Sequence, residues 1–146
     1  MKKITALSLL IVLTVGCKCK KSAAENGDFT ILKENGYGGK DTESHQLVNN
    51  QSEFEALCNE LTIEEVPEVD FSKNSVVAVF MGQKRSGGYS ITIKKVEIDG
   101  NTANILVKNA VPEPGAMVTM ALTAPYCMAV IPKTEKVTVK ENPVKM

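Results

Sequence analysis

The chain has 146 residues, with seventeen Lys and Arg balancing seventeen Asp and Glu, one histidine and no tryptophan. One histidine excludes a multi-histidine zinc site. Balanced charge without aromatics set among dense basic residues gives nucleic-acid binding no support.

Lys2 and Lys3 precede a largely apolar run from Ile4 to Val15, which Gly16 and Cys17 close. Twelve residues fall short of the roughly 20 that a resident membrane helix needs. The pattern predicts an export signal over 1–16. The small residue before a cysteine resembles the lipobox of bacterial lipoproteins, which implies lipidation of Cys17 and a membrane anchor in the cell envelope. A soluble exported protein cut nearby is the alternative. Loss of Lys2 and Lys3 with the leader would leave a net charge of −2. Residues 17–27 have no apolar periodicity and are expected to be a flexible tether. Residues 28–146 then form one domain, long enough for a single core.

Phe29 to Glu34 reads as a short strand, Asn35 to Gly39 as a glycine-rich loop, and Glu43 to Val48 as a second strand. Phe54, Leu57, Cys58 and Leu61 then follow helical spacing, which predicts one helix over about 51–61. Ser52 with Glu55 supplies a capping box, and Asn50 with Glu53 an alternative one. The acids from Glu53 to Asp70 have no basic residue among them and are expected to form a solvated face.

Beyond Asn74 the pattern is β. Ser75 to Met81 is continuously apolar, as in a strand covered on both faces. The run from Tyr89 to Ile98 changes phase at Lys94-Lys95, which predicts a bulge. Gly100, with Asp99 or Asn101, makes a tight hairpin turn, and Ala103, Ile105 and Val107 return. Ala116, Val118, Met120 and Leu122 alternate after a Pro-Glu-Pro-Gly connector, and Met117, Met120 and Met128 are expected as strand core residues. Cys127 to Ile131 and Val137 to Lys140 are the last two strands. The sum predicts an α+β fold, a mostly antiparallel sheet or small sandwich with one helix on its N-terminal side.

The stretch GQKRSGGYSI, 82–91, carries two glycines five apart around Lys84 and Arg85. A phosphate loop needs a lysine after the second glycine and then a helix. Gly88 and a strand pattern follow instead, so a nucleotide site is excluded. The segment is expected to be a hairpin tip between strands 75–81 and 89–98, shaped by Gly82, Gly87 and Gly88. Gln83, Lys84 and Arg85 would be exposed for partner contact, with Tyr89 half-buried beside them.

Three motifs in order resemble the C-terminal domain of the protease complex subunit PrcB family: Gly82, Gln83, Gly87, Gly88 and Tyr89; Pro112, Pro114 and Gly115; Thr123, Pro125 and Tyr126. The resemblance spans about 70–133. It implies a fold and an exported compartment more than an activity, and it suggests an exported protease as partner. The expected function is a non-enzymatic protein-binding module, without cofactor, metal or catalytic residue. A protease inhibitor using the 82–89 loop is the alternative, as is a small enzyme using His45 or Cys127. Neither has an activating local signature. A Cys58–Cys127 disulfide would close a loop of about 70 residues and stabilise by roughly 4 kcal/mol. The place of Cys58 on the apolar helix face favours two buried thiols.

Overall fold

The structure, a computed structural model, describes residues 25–145; the leader, Cys17 and most of the expected tether lie outside them. The described residues run β1 (Glu25–Asn26), β2 (Thr30–Asn35), β3 (Glu43–Val48), α1 (Gln51–Glu60), β4 (Asn74–Met81), β5 (Ser90–Asp99), β6 (Thr102–Val111), β7 (Tyr126–Pro132) and β8 (Lys136–Lys145). Two four-stranded sheets result, ordered β1-β5-β6-β8 and β2-β7-β4-β3. The fold is the predicted α+β type, a small sandwich with one helix. All strand pairs are antiparallel except β6 with β8, where β8 returns to the first sheet after β7 has crossed to the second. The two residues of β1, assigned to the tether from sequence, pair with β5.

Strand β4 shows why its sequence is apolar throughout. Val77, Val79 and Met81 face the other sheet, among Ile93, Ile105 and Cys127. Val76, Ala78 and Phe80 face the opposite way and meet Phe54, Leu57 and Cys58 of α1. Alternate residues of one strand thus serve two cores, each large buried side chain contributing about 1.5–3 kcal/mol.

The apolar stripe of α1 is the predicted one, with Leu61 buried at its C-cap. Its N-cap is Asn50, whose side chain accepts from the Glu53 N–H at 2.8 Å. Asn50 rather than Ser52 is therefore the cap, the Glu53 carboxylate accepting from the Asn49 N–H instead of closing the box on Asn50, and Ser52 lies within the first turn. Such a cap contributes about 1 kcal/mol.

Cys58 belongs to the helix-side core and Cys127 to the inter-sheet core. They lie on opposite faces of one sheet, so no disulfide joins them and both thiols are free. The bulge expected at Lys94 is present as a register shift between Ile93 and Lys95. Gly100 and Asn101 form the two-residue turn between paired Asp99 and Thr102, with Gly100 at φ 58°.

Candidate functional site

The 82–89 segment is not a hairpin tip. Strand β4 pairs with β3 along one edge and with β7 along the other, so it has no edge left for β5. The chain crosses instead from one sheet to the other. This crossover is held along its length by loops that reach the same end of the sandwich. Gln83 N–H donates to the Asp41 carbonyl at 2.9 Å. Lys84 and Thr123 exchange backbone hydrogen bonds at 2.8 and 2.9 Å. Gly87 N–H donates to the Thr119 carbonyl at 2.9 Å, and the Thr123 hydroxyl to the Ser86 carbonyl at 2.8 Å.

The glycines serve these internal contacts. Gly82 has φ +75°, and a Cβ there would lie 2.8 Å from the backbone nitrogen of Glu43. Gly87 is buried, and a Cβ on it would lie 2.3 Å from Thr119 Oγ1. The chain's own loops thus make the close approach to these two glycines. Gln83, Arg85 and Gly88 stay exposed, whereas Lys84 is half-buried with its ammonium 5.9 Å from the Tyr89 ring centroid. Tyr89 is half-buried, as expected.

Pro112, Pro114 and Gly115 begin the loop that covers the crossover. Ala116 N–H donates to the Glu113 carbonyl at 3.0 Å, with Gly115 at φ +88°. Proline second and glycine third is the type II turn pattern. Thr123 is 4% exposed, and the Pro125 carbonyl accepts from Met81 N–H at 2.9 Å. Tyr126 is fully buried, against Phe80. Burial pushes its hydroxyl pKa up, and the nearby Asn35 side chain offsets part of this.

The alternation expected to make a strand of 116–122 makes an irregular loop. Met117 is 102% exposed, Met120 93% and Leu122 63%, so of the three methionines expected in the core only Met128 is buried. Apolar residues stand in both phases here, Met117 opposing Val118 and Met120, so no register buries them together. Ala124 ties this loop to the one between β2 and β3: its N–H donates to the Gly36 carbonyl, and its carbonyl accepts from the Gly39 N–H. Exposed Tyr37 lies in that third loop. Sequence reasoning missed Met117, Met120, Leu122 and Tyr37 as surface residues. The broken phase at Met117 was the signal.

His45 and Cys127 do not come together. His45 registers with Val79 and Val79 with Cys127, so one strand separates them, about 10 Å at the usual strand spacing. Burial is the largest cause pushing the Cys127 thiol up to about 12, and the nearby Glu34 carboxylate adds to it.

The fold and site are those of a small β-sandwich that presents three interlocked loops at one end, with large apolar side chains outermost. Residues 75–132, from β4 through β7, match the family described as PrcB C-terminal, and this segment is a PrcB C-terminal domain. The match contains all three motifs and covers less than half of the chain. No curated protein and no solved structure matches the chain.

Proposed function

We propose that this protein is a non-enzymatic binding module of the cell envelope that docks a partner polypeptide on its loop end. Lipidation at Cys17 would hold it at the membrane. An exported protease complex is the partner class that the family description suggests. One observation carries the reading: Met117, Met120 and Leu122 are exposed on a loop whose backbone is fixed by Lys84, Gly87 and Gly36. Methionine adapts to irregular apolar surfaces and is used at binding faces. A loop held in place loses little further freedom on binding. Arg85 lies on the crossover beneath it and supplies charge for steering.

The test is recovery of a native partner by the tagged protein and by a Lys84→Ala/Arg85→Ala variant, set beside a Met117→Ser/Met120→Ser variant. Full recovery by both folded variants would contradict the reading.

A second reading, protease inhibition, is favoured by the exposure of Arg85 between the pinned residues Lys84 and Gly87. An inhibition panel of trypsin-like enzymes separates the two, because only an inhibitor loses potency on Arg85→Ala while still binding through its methionines.

A further inference from the structure

The helix-side face of the second sheet carries a cavity of about 530 Å³ at its β2 margin, with residues 61–67 as the opposite wall. A register shift in β2 between Ile31 and Lys33 shapes it. Ile31 pairs with Ala129 of the inter-sheet core, and Lys33 with Met128 of the helix-side core. The extra residue, Leu32, packs against the helix-side core as well, so two successive side chains of one strand line the same cavity. The opposite wall starts where α1 ends. Thr62 takes φ 54°, where glycine is usual, and the Ile63 N–H donates to the Cys58 carbonyl at 2.9 Å. That turn holds Ile63 at the cavity and passes the chain on to Glu64 and Glu65, which line it too.

Tyr126 also lines the cavity. It is 1% exposed, and its hydroxyl makes no hydrogen bond to a described residue. Among the described residues, Asn109 Oδ1 is the one polar side-chain atom both sealed from solvent and unpartnered. The Tyr126 oxygen is therefore not sealed, and the little surface this residue keeps opens onto the cavity. Asn35 registers opposite Tyr126, which places both side chains on one face. The Tyr37 N–H occupies the Asn35 Oδ1 at 3.2 Å, so the amide offers its own N–H groups as donors. A buried hydroxyl without a partner calls for one, and two donors side by side suit a carbonyl oxygen. Glu64 and Glu65 are exposed and form no ion pair among the described residues. They stand against one lining cation, Lys33.

We propose that this cavity seats a segment of a partner polypeptide in which an apolar side chain stands next to a lysine or arginine. The apolar side chain enters among Leu32, Leu61, Ile63 and Met128. A backbone carbonyl of the segment accepts from Tyr126 and Asn35, and its basic side chain meets Glu64 and Glu65. Apolar walls with a few placed polar groups are the usual make-up of a binding cleft. Unpaired acids at the rim steer a cation toward it and discriminate against an acidic segment. None of these residues belongs to the 82–89 crossover or to the methionine loop. The cavity is thus a second contact, independent of docking at the loop end.

The chain has no tryptophan, so the emission of a tryptophan peptide reports that peptide's own burial. The test titrates the full-length protein, in phosphatidylcholine vesicles with protein-free vesicles as the blank, into acetyl-Lys-Trp-Lys-amide. A saturable blue shift with a Kd of about 1 mM or tighter is expected, and acetyl-Glu-Trp-Glu-amide should give none. Tyr126→Phe removes an oxygen that has no internal partner. It should unfold at the same urea concentration or higher, and weaken the peptide by about three- to tenfold. Glu64→Gln/Glu65→Gln should weaken it by a similar factor. Glu55→Gln/Glu135→Gln, which removes two charges elsewhere, and Met117→Ser/Met120→Ser should leave it unchanged. No blue shift in the native protein would overturn the proposal. So would equal binding of the acidic peptide, or an equal loss in Glu55→Gln/Glu135→Gln, since either would reduce the effect to general charge. Full affinity in Tyr126→Phe, or a loss of stability there, would overturn the role given to its hydroxyl.

Discussion

Lys84 and Thr123 are joined by two backbone hydrogen bonds, at 2.8 and 2.9 Å, that tie the crossover to the methionine loop although 39 positions separate them. Thr123 adds a third bond through its hydroxyl, to the Ser86 carbonyl. Thr123→Val keeps the shape and leaves that carbonyl without its donor. It is expected to lower stability by about 1–2 kcal/mol in urea unfolding and to speed amide exchange at Lys84 and Gly87.

Gly82→Ala and Gly87→Ala should differ in a telling direction. At Gly82 an alanine meets both a positive φ and a backbone atom of Glu43, which is fixed by pairing with Met81. A loss of about 2 kcal/mol or more is expected there. At Gly87 the nearest atom is the hydroxyl of exposed Thr119, which can rotate away. A loss below about 1 kcal/mol is expected. Chemical denaturation of the two variants, read as the difference between their midpoints, measures this.

Met117→Ser/Met120→Ser should change stability by no more than about 0.5 kcal/mol, since both side chains are exposed. A larger loss in urea unfolding would mean that these methionines pack within the molecule and are not a docking face.

Cys58 and Cys127 should resist thiol reagents at pH 8 in a Cys17→Ser/Cys19→Ser background. Burial raises both thiol pKa values, with Glu55 adding to the effect at Cys58. The thiolate is the reactive form, and it gains population only as pH rises toward the raised pKa. Absorbance with a disulfide reagent should show about zero equivalents when native and two after unfolding.

Local patterns in the sequence carried most of the fold. The spacing of Phe54, Leu57, Cys58 and Leu61 specifies α1, the phase change at Lys94-Lys95 marks the bulge, and Gly100-Asn101 closes the hairpin, because each depends on neighbours a few positions away. The crossover at 82–89 was not legible, because its path depends on β3 and β7 having claimed both edges of β4. Those pairings join residues far apart in the chain. The candidate surface was hidden for a related reason. Alternation in Ala116, Val118, Met120 and Leu122 suits a strand, but a strand needs an edge to pair with, and β7 and β4 pair with each other instead. The glycines were legible as necessary, though their purpose is internal fit.

The binding account is tested most directly by site-specific photo-crosslinking. A photoreactive residue is placed at Met120, or at Thr138 on the exposed outer side of β8, in the full-length protein in its native envelope. The account predicts one discrete adduct from position 120, containing an exported protease or its complex, and none from position 138. Equal adducts from both positions, or no adduct from position 120, would contradict it.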